Sequence, residues 1–97
     1  MSSLTESNLQ KKVTEYLKSE NIYFINVYGS GRTAKGAPDI IACVNGKFVA
    51  LELKVGSNNM QPDQIIHKRR IKRSGGLHYV PRTLDEVKKI INEITGG

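Results

Sequence analysis

The sequence predicts an α/β domain: one mixed sheet flanked by helices, in the order α-β-β-β-α-β with a further helix near the C-terminal end. Three observations carry this. The dipeptide Asn45-Gly46 lies between two apolar, β-forming runs, Ile40–Val44 and Phe48–Leu53. Asn-Gly in that setting is the strongest short-range signal for a hairpin closed by a two-residue type I′ turn. Both ends of the chain carry capping-box patterns, Ser3-Leu4-Thr5-Glu6 and Thr83-Leu84-Asp85-Glu86, each followed by apolar residues at helical spacing. A helical segment opened by Pro62 separates the hairpin from the last strand, so that strand can pair in parallel with an earlier one.

Taken in order, the first helix is expected to start near residue 4, with Leu9, Val13, Tyr16 and Leu17 on its core face, and to end near Glu20-Asn21. Ile22–Tyr28, rich in β-branched and aromatic residues, reads as a strand. Gly29–Ala37 holds three glycines with Arg32 and Lys35 and reads as a flexible, basic loop leading into the hairpin. Val55–Asn59 is a second loop. The helix from Pro62 runs to about Arg73 and is stopped by Ser74-Gly75-Gly76. Leu77–Val80 is a short strand ended by Pro81, and Val87, Ile90, Ile91 and Ile94 mark a final amphipathic helix.

At 97 residues the chain is expected to form a single domain with one modest core. Fifteen Lys and Arg against nine Asp and Glu give a formal charge of +6, which favours a polyanionic partner, nucleic acid above all. The single cysteine, Cys43, excludes an internal disulfide and is expected to be a small buried hydrophobe in mid-strand. The polar N-terminal stretch does not read as a signal peptide and no apolar run approaches membrane-spanning length. An intracellular, cytoplasmic protein is the expectation.

The type I′ turn fixes a register. Val44 faces Lys47, Cys43 faces Phe48, Ala42 faces Val49, Ile41 faces Ala50, Ile40 faces Leu51, and Asp39 faces Glu52. Lys54, two residues beyond Glu52, points the same way. Two facing carboxylates at roughly 5 Å and an effective dielectric of about 20 repel by about 3 kcal/mol. A divalent cation between them converts repulsion into ligation, and hard oxygen donors suit Mg²⁺ or Mn²⁺. A lysine beside them suits a site that handles phosphate.

Other residues extend the candidate site. Glu6 reads either as the acid of a capping box or, three residues before Leu9, as an acid on the buried stripe, serving the metal or its waters. Gln10, one turn on, is placed to support it. Gln64 reads as a solvated first-turn residue or as a group reaching the carboxylates or a bound phosphate. The run His67-Lys68-Arg69-Arg70-Ile71-Lys72-Arg73 exceeds what the helix dipole requires. Lys68, Arg69, Arg70, Lys72 and Arg73, with Arg32 and Lys35 of the glycine-rich loop and a smaller contribution from Arg82, are therefore candidate phosphate contacts. His67 and His78 lack metal-ligand spacing, and Tyr28 is a packing residue. The segment GSGRTAKG lacks the Gly-Lys-Ser/Thr ending of an ATPase phosphate loop, which argues against nucleotide hydrolysis.

Pro38-Asp39 followed by Glu52-Leu53-Lys54 resembles the motif of the PD-(D/E)xK nuclease superfamily. Glu6, the segment GSGRTAKGAPDI, the strand ALELK, MQPDQ at a helix start and Gly75-Gly76 together resemble the VRR-NUC family, from about Glu6 to Val80. The resemblance implies a restriction-endonuclease-like core and a Mg²⁺- or Mn²⁺-dependent DNA endonuclease. It implies Asp39, Glu52 and the Leu53 backbone carbonyl as metal ligands, and Lys54 as the catalytic lysine. Glu6 matches the helix-one acid, acting through a water, Gln64 matches the helix-two glutamine, and Gly36 and Pro38 shape the approach to the site. The chain departs from the pattern at Gln61, where a serine-like residue often precedes the proline, so Gln61 and Gln64 compete for that role. Stand-alone members, small forms of phages and bacteria, are similar to Holliday-junction resolvases, which implies branched DNA as partner and a homodimer. Apolar residues of the last helix are the expected interface. The competing readings are a non-catalytic nucleic-acid-binding module on a nuclease-like fold and a basic RNA-binding protein.

Overall fold

The computed structural model describes residues 5–27 and 35–96. Three helices and four strands follow the expected order: α1 (Glu6–Ser19), β1 (Tyr23–Asn26), β2 (Ile40–Val44), β3 (Lys47–Leu51), α2 (Pro62–Arg73), β4 (Leu77–Tyr79) and α3 (Leu84–Thr95). The strands form one sheet in the order β1-β2-β3-β4. The first two pairings are antiparallel and β4 joins β3 in parallel, its direction set by the α2 crossover.

The hairpin has the register that its turn dictates, from Val44 opposite Lys47 to Ile40 opposite Leu51. Asn45 and Gly46 take the positive φ values, 53° and 78°, that a type I′ turn requires. Strand β1 is shorter than the expected Ile22–Tyr28, and Tyr28 lies outside the described residues. Helix α1 starts two residues later than the first capping-box pattern suggests. Its N-cap is Thr5, whose hydroxyl accepts from the Asn8 N–H at 3.1 Å, so Glu6 is the first helical residue and not the acid of a capping box.

The sheet's two faces are unlike. Ile40, Ala42 and Val44 alternate inward on β2 and, with Val49, Leu51 and Leu53, meet Leu9, Val13 and Leu17 of α1 and Val87 and Ile91 of α3. This is the core, and it lies on one face. Helix α3 spends its apolar stripe here: Val87 and Ile91 are buried and Ile90 and Ile94 half-buried, so it does not present the exposed apolar interface expected of it. The opposite face is covered by α2 only toward β4, where Ile71 and Phe48 close on Gly76. Cys43 falls on this second face by the pleat's alternation and is exposed, not buried. Its neighbours explain the error: the core-facing set on β2 is the even-numbered one.

His78 of β4 is buried beneath α2, with neither ring nitrogen hydrogen-bonded among the described residues. Burial, then the positive charges of Lys68 and Lys72, push its pKa down from 6.5 to about 4. The unfolded chain therefore binds the proton more readily. The stability gained by keeping this ring neutral is intact above pH 6.5 and is lost as pH falls toward 4. His78→Leu is expected to remove an acid-side loss of about 2–3 kcal/mol, read as the difference between wild-type and variant urea unfolding at pH 7 and pH 4.5.

Candidate active site

The catalytic candidates sit where the hairpin's open end meets β4. Asp39 is pinned through its backbone on both sides: its carbonyl accepts the Val27 N–H at 2.8 Å and its N–H donates to the Leu51 carbonyl at 3.1 Å. Beyond Leu51 the chain stays extended, because the Glu52 N–H donates to the Tyr79 carbonyl at 2.9 Å and the Lys54 N–H to the Pro81 carbonyl at 3.3 Å. Leu53 turns into the core, at 1% exposure. Glu52 and Lys54, its neighbours on either side, therefore turn to the other face.

There the two acids meet. Asp39 Oδ2 accepts the Leu53 N–H at 2.8 Å. Glu52 is 2% exposed, and its Oε1 has no hydrogen-bond partner among the described residues. Burial first, then the Asp39 charge and a hydrogen bond shared with Asp39, push the Glu52 carboxyl up to about 8. Lys54, itself 8% exposed, pulls the other way, and Glu6 adds a smaller upward push. A cation bound between the two acids would offset this cost to the ionised form. Among the described residues no three His, Cys, Asp or Glu side chains close around one cation position. Two carboxylates completed by backbone oxygen and water are the donor set that Mg²⁺ accepts.

Glu6 reaches this cluster only by its field. It is exposed on the first turn of α1, not on the buried stripe expected of it. Gln10 does not support Glu6: its Nε2 donates to Asn26 Oδ1 at 3.1 Å and ties α1 to β1. Gln64, half-buried, has its Oε1 occupied by the Gln61 N–H at 2.7 Å, so part of its side chain caps α2. Gln61 is the exposed N-cap residue.

The basic residues divide. Arg69, Arg70, Lys72 and Arg73 of α2 are exposed, while Lys68 is half-buried beside His78. Lys35 is exposed, and Arg32 lies outside the described residues. Arg82 is engaged elsewhere, its Nη1 donating to the Gly56 carbonyl at 2.9 Å.

Sequence reasoning did not anticipate how the loop before Asp39 is anchored. His67 Nε2 lies 3.0 Å from the Lys35 carbonyl and donates to it. Gly36, at φ +85°, rests against the backbone of Asp63, and a Cβ there would come within 2.6 Å of the Asp63 carbonyl carbon. The signal was present in part: Asp63 and His67 are four apart and share one side of α2. Gly36→Ala combines a disfavoured φ with a backbone clash, and is expected to cost about 1–3 kcal/mol in denaturant unfolding.

No family profile matches the sequence, and no curated protein does. Solved structures do match. A structure described as a VRR_NUC domain aligns with a TM-score of 0.75 and 23% identity, over 93% of this chain and 97% of its own. A VRR_NUC domain protein aligns with a TM-score of 0.75 and 19% identity, over 99% and 92%. A Holliday junction resolvase from the hyperthermophilic archaeon Archaeoglobus fulgidus aligns with a TM-score of 0.60 and 21% identity, over 79% of this chain and 67% of its own. The four-stranded mixed sheet and its flanking helices thus give this chain the fold of these VRR_NUC domains and of the Holliday junction resolvase, the fold expected from its resemblance to the Pro-Asp…Glu-x-Lys pattern.

Proposed function

We propose that this protein is a Mg²⁺- or Mn²⁺-dependent DNA endonuclease that hydrolyses phosphodiester bonds and prefers branched DNA such as four-way junctions. One observation carries the reading: a buried Glu52 carboxyl beside Asp39, its Oε1 without a hydrogen-bond partner among the described residues, with Lys54 on the same face. The similarity in fold to a Holliday junction resolvase supports the choice of substrate.

Asp39, Glu52 and the Leu53 carbonyl would hold the ion, with Glu6 positioned to orient one of its waters. A divalent ion bound there polarises a phosphoryl oxygen and lowers the pKa of an attacking water. Lys54 presents its ammonium to the same space and screens the charge that builds on the phosphate in the transition state. Gln64, at the start of α2, would contact a bound phosphate. Arg69, Arg70, Lys72 and Arg73, with Lys35, and to a lesser degree Lys68, grip the sugar-phosphate backbone without reading bases. Sequence preference is therefore low and salt dependence steep. A four-way junction needs two symmetric cuts, which a homodimer supplies.

The test is a panel of synthetic four-way junction, flap, nicked and plain duplex DNAs incubated with Mg²⁺, Mn²⁺ or EDTA. Metal-dependent cleavage, strongest on the junction, is expected. Tight binding with no cleavage under any metal, unaltered by Glu52→Ala, would instead identify a non-catalytic binding module.

A further inference from the structure

Phe48 opens the same strand that leads to Glu52 and, four residues before it, stands on the same face of the sheet. At about 3.3 Å per residue the ring lies ~13 Å from the acid. It is 48% exposed, and yet it is held in place. A Cβ on Gly76 would come within 2.9 Å of both the Phe48 ring and the Ile71 side chain, so the two close on a position that only glycine leaves open. A fixed ring with one part bare is a surface prepared for stacking.

Helix α2 runs beside this ring, and between them lies a groove of ≈ 540 Å³ lined by Phe48, His67, Arg70, Ile71, Ser74 and Gly76 among others. Sites for small-molecule-sized ligands span roughly 300–1,000 Å³. The groove is apolar at Phe48 and Ile71 and cationic at Arg70, and no acid lines it. Arg73 follows Arg70 by three residues, on the same side of α2, and both are exposed. The His67 ring is fixed by its bond to the Lys35 carbonyl. An apolar partner would leave Arg70 unmatched, and a bare phosphate would leave Phe48 unmatched. A nucleotide answers both, with a flat base and an anionic link. In a duplex each base face is covered by its neighbours, so the ring can take only an unpaired, unstacked base. Tyr23, though 71% exposed, is not among the groove's residues.

We propose that the groove between Phe48 and α2 holds one unpaired nucleotide of the DNA strand that meets the acids, its base stacked on Phe48 and its phosphate on Arg70. The identity of that strand rests on the endonuclease reading. A stacked strand advances ~3.4 Å per nucleotide, so ~13 Å is about four steps, and fewer where the strand is extended. The seated nucleotide therefore lies a few positions from the phosphate at the acids. Stacking on an aromatic face tolerates any base, in keeping with low sequence preference. A nucleotide that is already unpaired costs least to seat, so the groove favours DNA with unpaired nucleotides close to the cut.

The experiment measures binding in EDTA, so its outcome is independent of whether the site cleaves anything. The probes are a fluorescent duplex carrying a four-thymidine tail, on the 5′ or the 3′ end, and the same duplex whose tail has four abasic sites, which keeps the phosphates and removes the bases. Wild type is expected to bind the thymidine tail at least about fivefold more tightly than the abasic one, the usual worth of one stacked base. Phe48→Leu, which keeps an apolar side chain against Gly76, should erase that preference, and Phe48→Trp should keep it. Tyr23→Ala should keep it too. Arg70→Gln should weaken binding of both tails and lower the salt slope by about 0.7, one contact to a single strand, whereas Phe48→Leu should leave the slope unchanged. Circular dichroism verifies that each variant is folded. Four results would overturn the proposal: equal binding of the two tails by wild type, a preference that survives Phe48→Leu, a preference that Tyr23→Ala removes as fully, or a salt slope indifferent to Arg70→Gln. A tail of uridine ribonucleotides bound more than about fivefold more tightly than the thymidine tail would give the groove to RNA and overturn it as well. A protein that cleaves junctions but shows no base preference refutes the groove alone; one that shows the preference but never cleaves refutes the nuclease reading alone.

Discussion

Glu52→Gln is expected to stabilise the metal-free protein at pH 8 while abolishing metal-dependent cleavage. The two effects have one cause. The Glu52 carboxyl is raised from 4.5 to about 8 because burial and the Asp39 charge disfavour its ionised form. The folded state thus holds this proton more tightly than the unfolded chain does. The favourable contribution of the protonated acid is complete below pH 4.5 and is lost as pH rises through 8. The loss is on the order of a few kcal/mol. An amide keeps the shape and hydrogen bonding without the charge, so the variant's melting temperature in EDTA should stay flat from pH 6 to 9 while that of wild type falls. Millimolar Mg²⁺ should restore the wild type by binding the folded state and leave Glu52→Gln unchanged. A wild-type melting temperature that is flat over this range in EDTA would show that Asp39 and Glu52 tolerate each other without help. Below pH 6.5 the His78 contribution runs in the opposite direction, so the comparison is cleanest on the alkaline side.

Lys54→Met is expected to lower cleavage by about 10²–10³-fold, the usual loss when one preorganised charge is removed from a transition state, with metal binding retained. Lys54 also lowers the Glu52 pKa. Its removal should therefore move the pH midpoint of Mn²⁺ binding upward, which titration calorimetry at several pH values measures. A variant that cleaves as well as wild type would leave Lys54 as a packing residue under the loop. A variant that no longer binds metal would place its role in holding the acids apart.

The parts of this protein legible in its sequence are those governed by short-range rules. Asn45-Gly46 dictated the hairpin register residue by residue, and that register carried Asp39 and Glu52 to the same face. Pro62 and the Ser74-Gly75-Gly76 stop bounded α2. What was misread depended on which elements pack where. Cys43 was expected inside because its strand is apolar on both faces, and only the placement of α1 and α3 together on one face leaves it outside. Glu6 was expected on the buried stripe because its spacing to Leu9 is helical, but at a helix end periodicity no longer implies cover. The apolar stripe of α3 was expected to seek a partner and found α1 and the sheet instead. The loop anchor of Lys35 and Gly36 on His67 and Asp63 is a contact between segments about thirty residues apart, which no local pattern encodes.

The most direct measurement is cleavage of a synthetic four-way junction by wild type and Asp39→Asn at equal concentration in Mn²⁺. Wild type should introduce paired, metal-dependent cuts that EDTA stops, and Asp39→Asn should bind the junction yet leave it intact. Equal cutting by the two proteins would mean that the carboxylate facing Glu52 holds nothing the reaction needs.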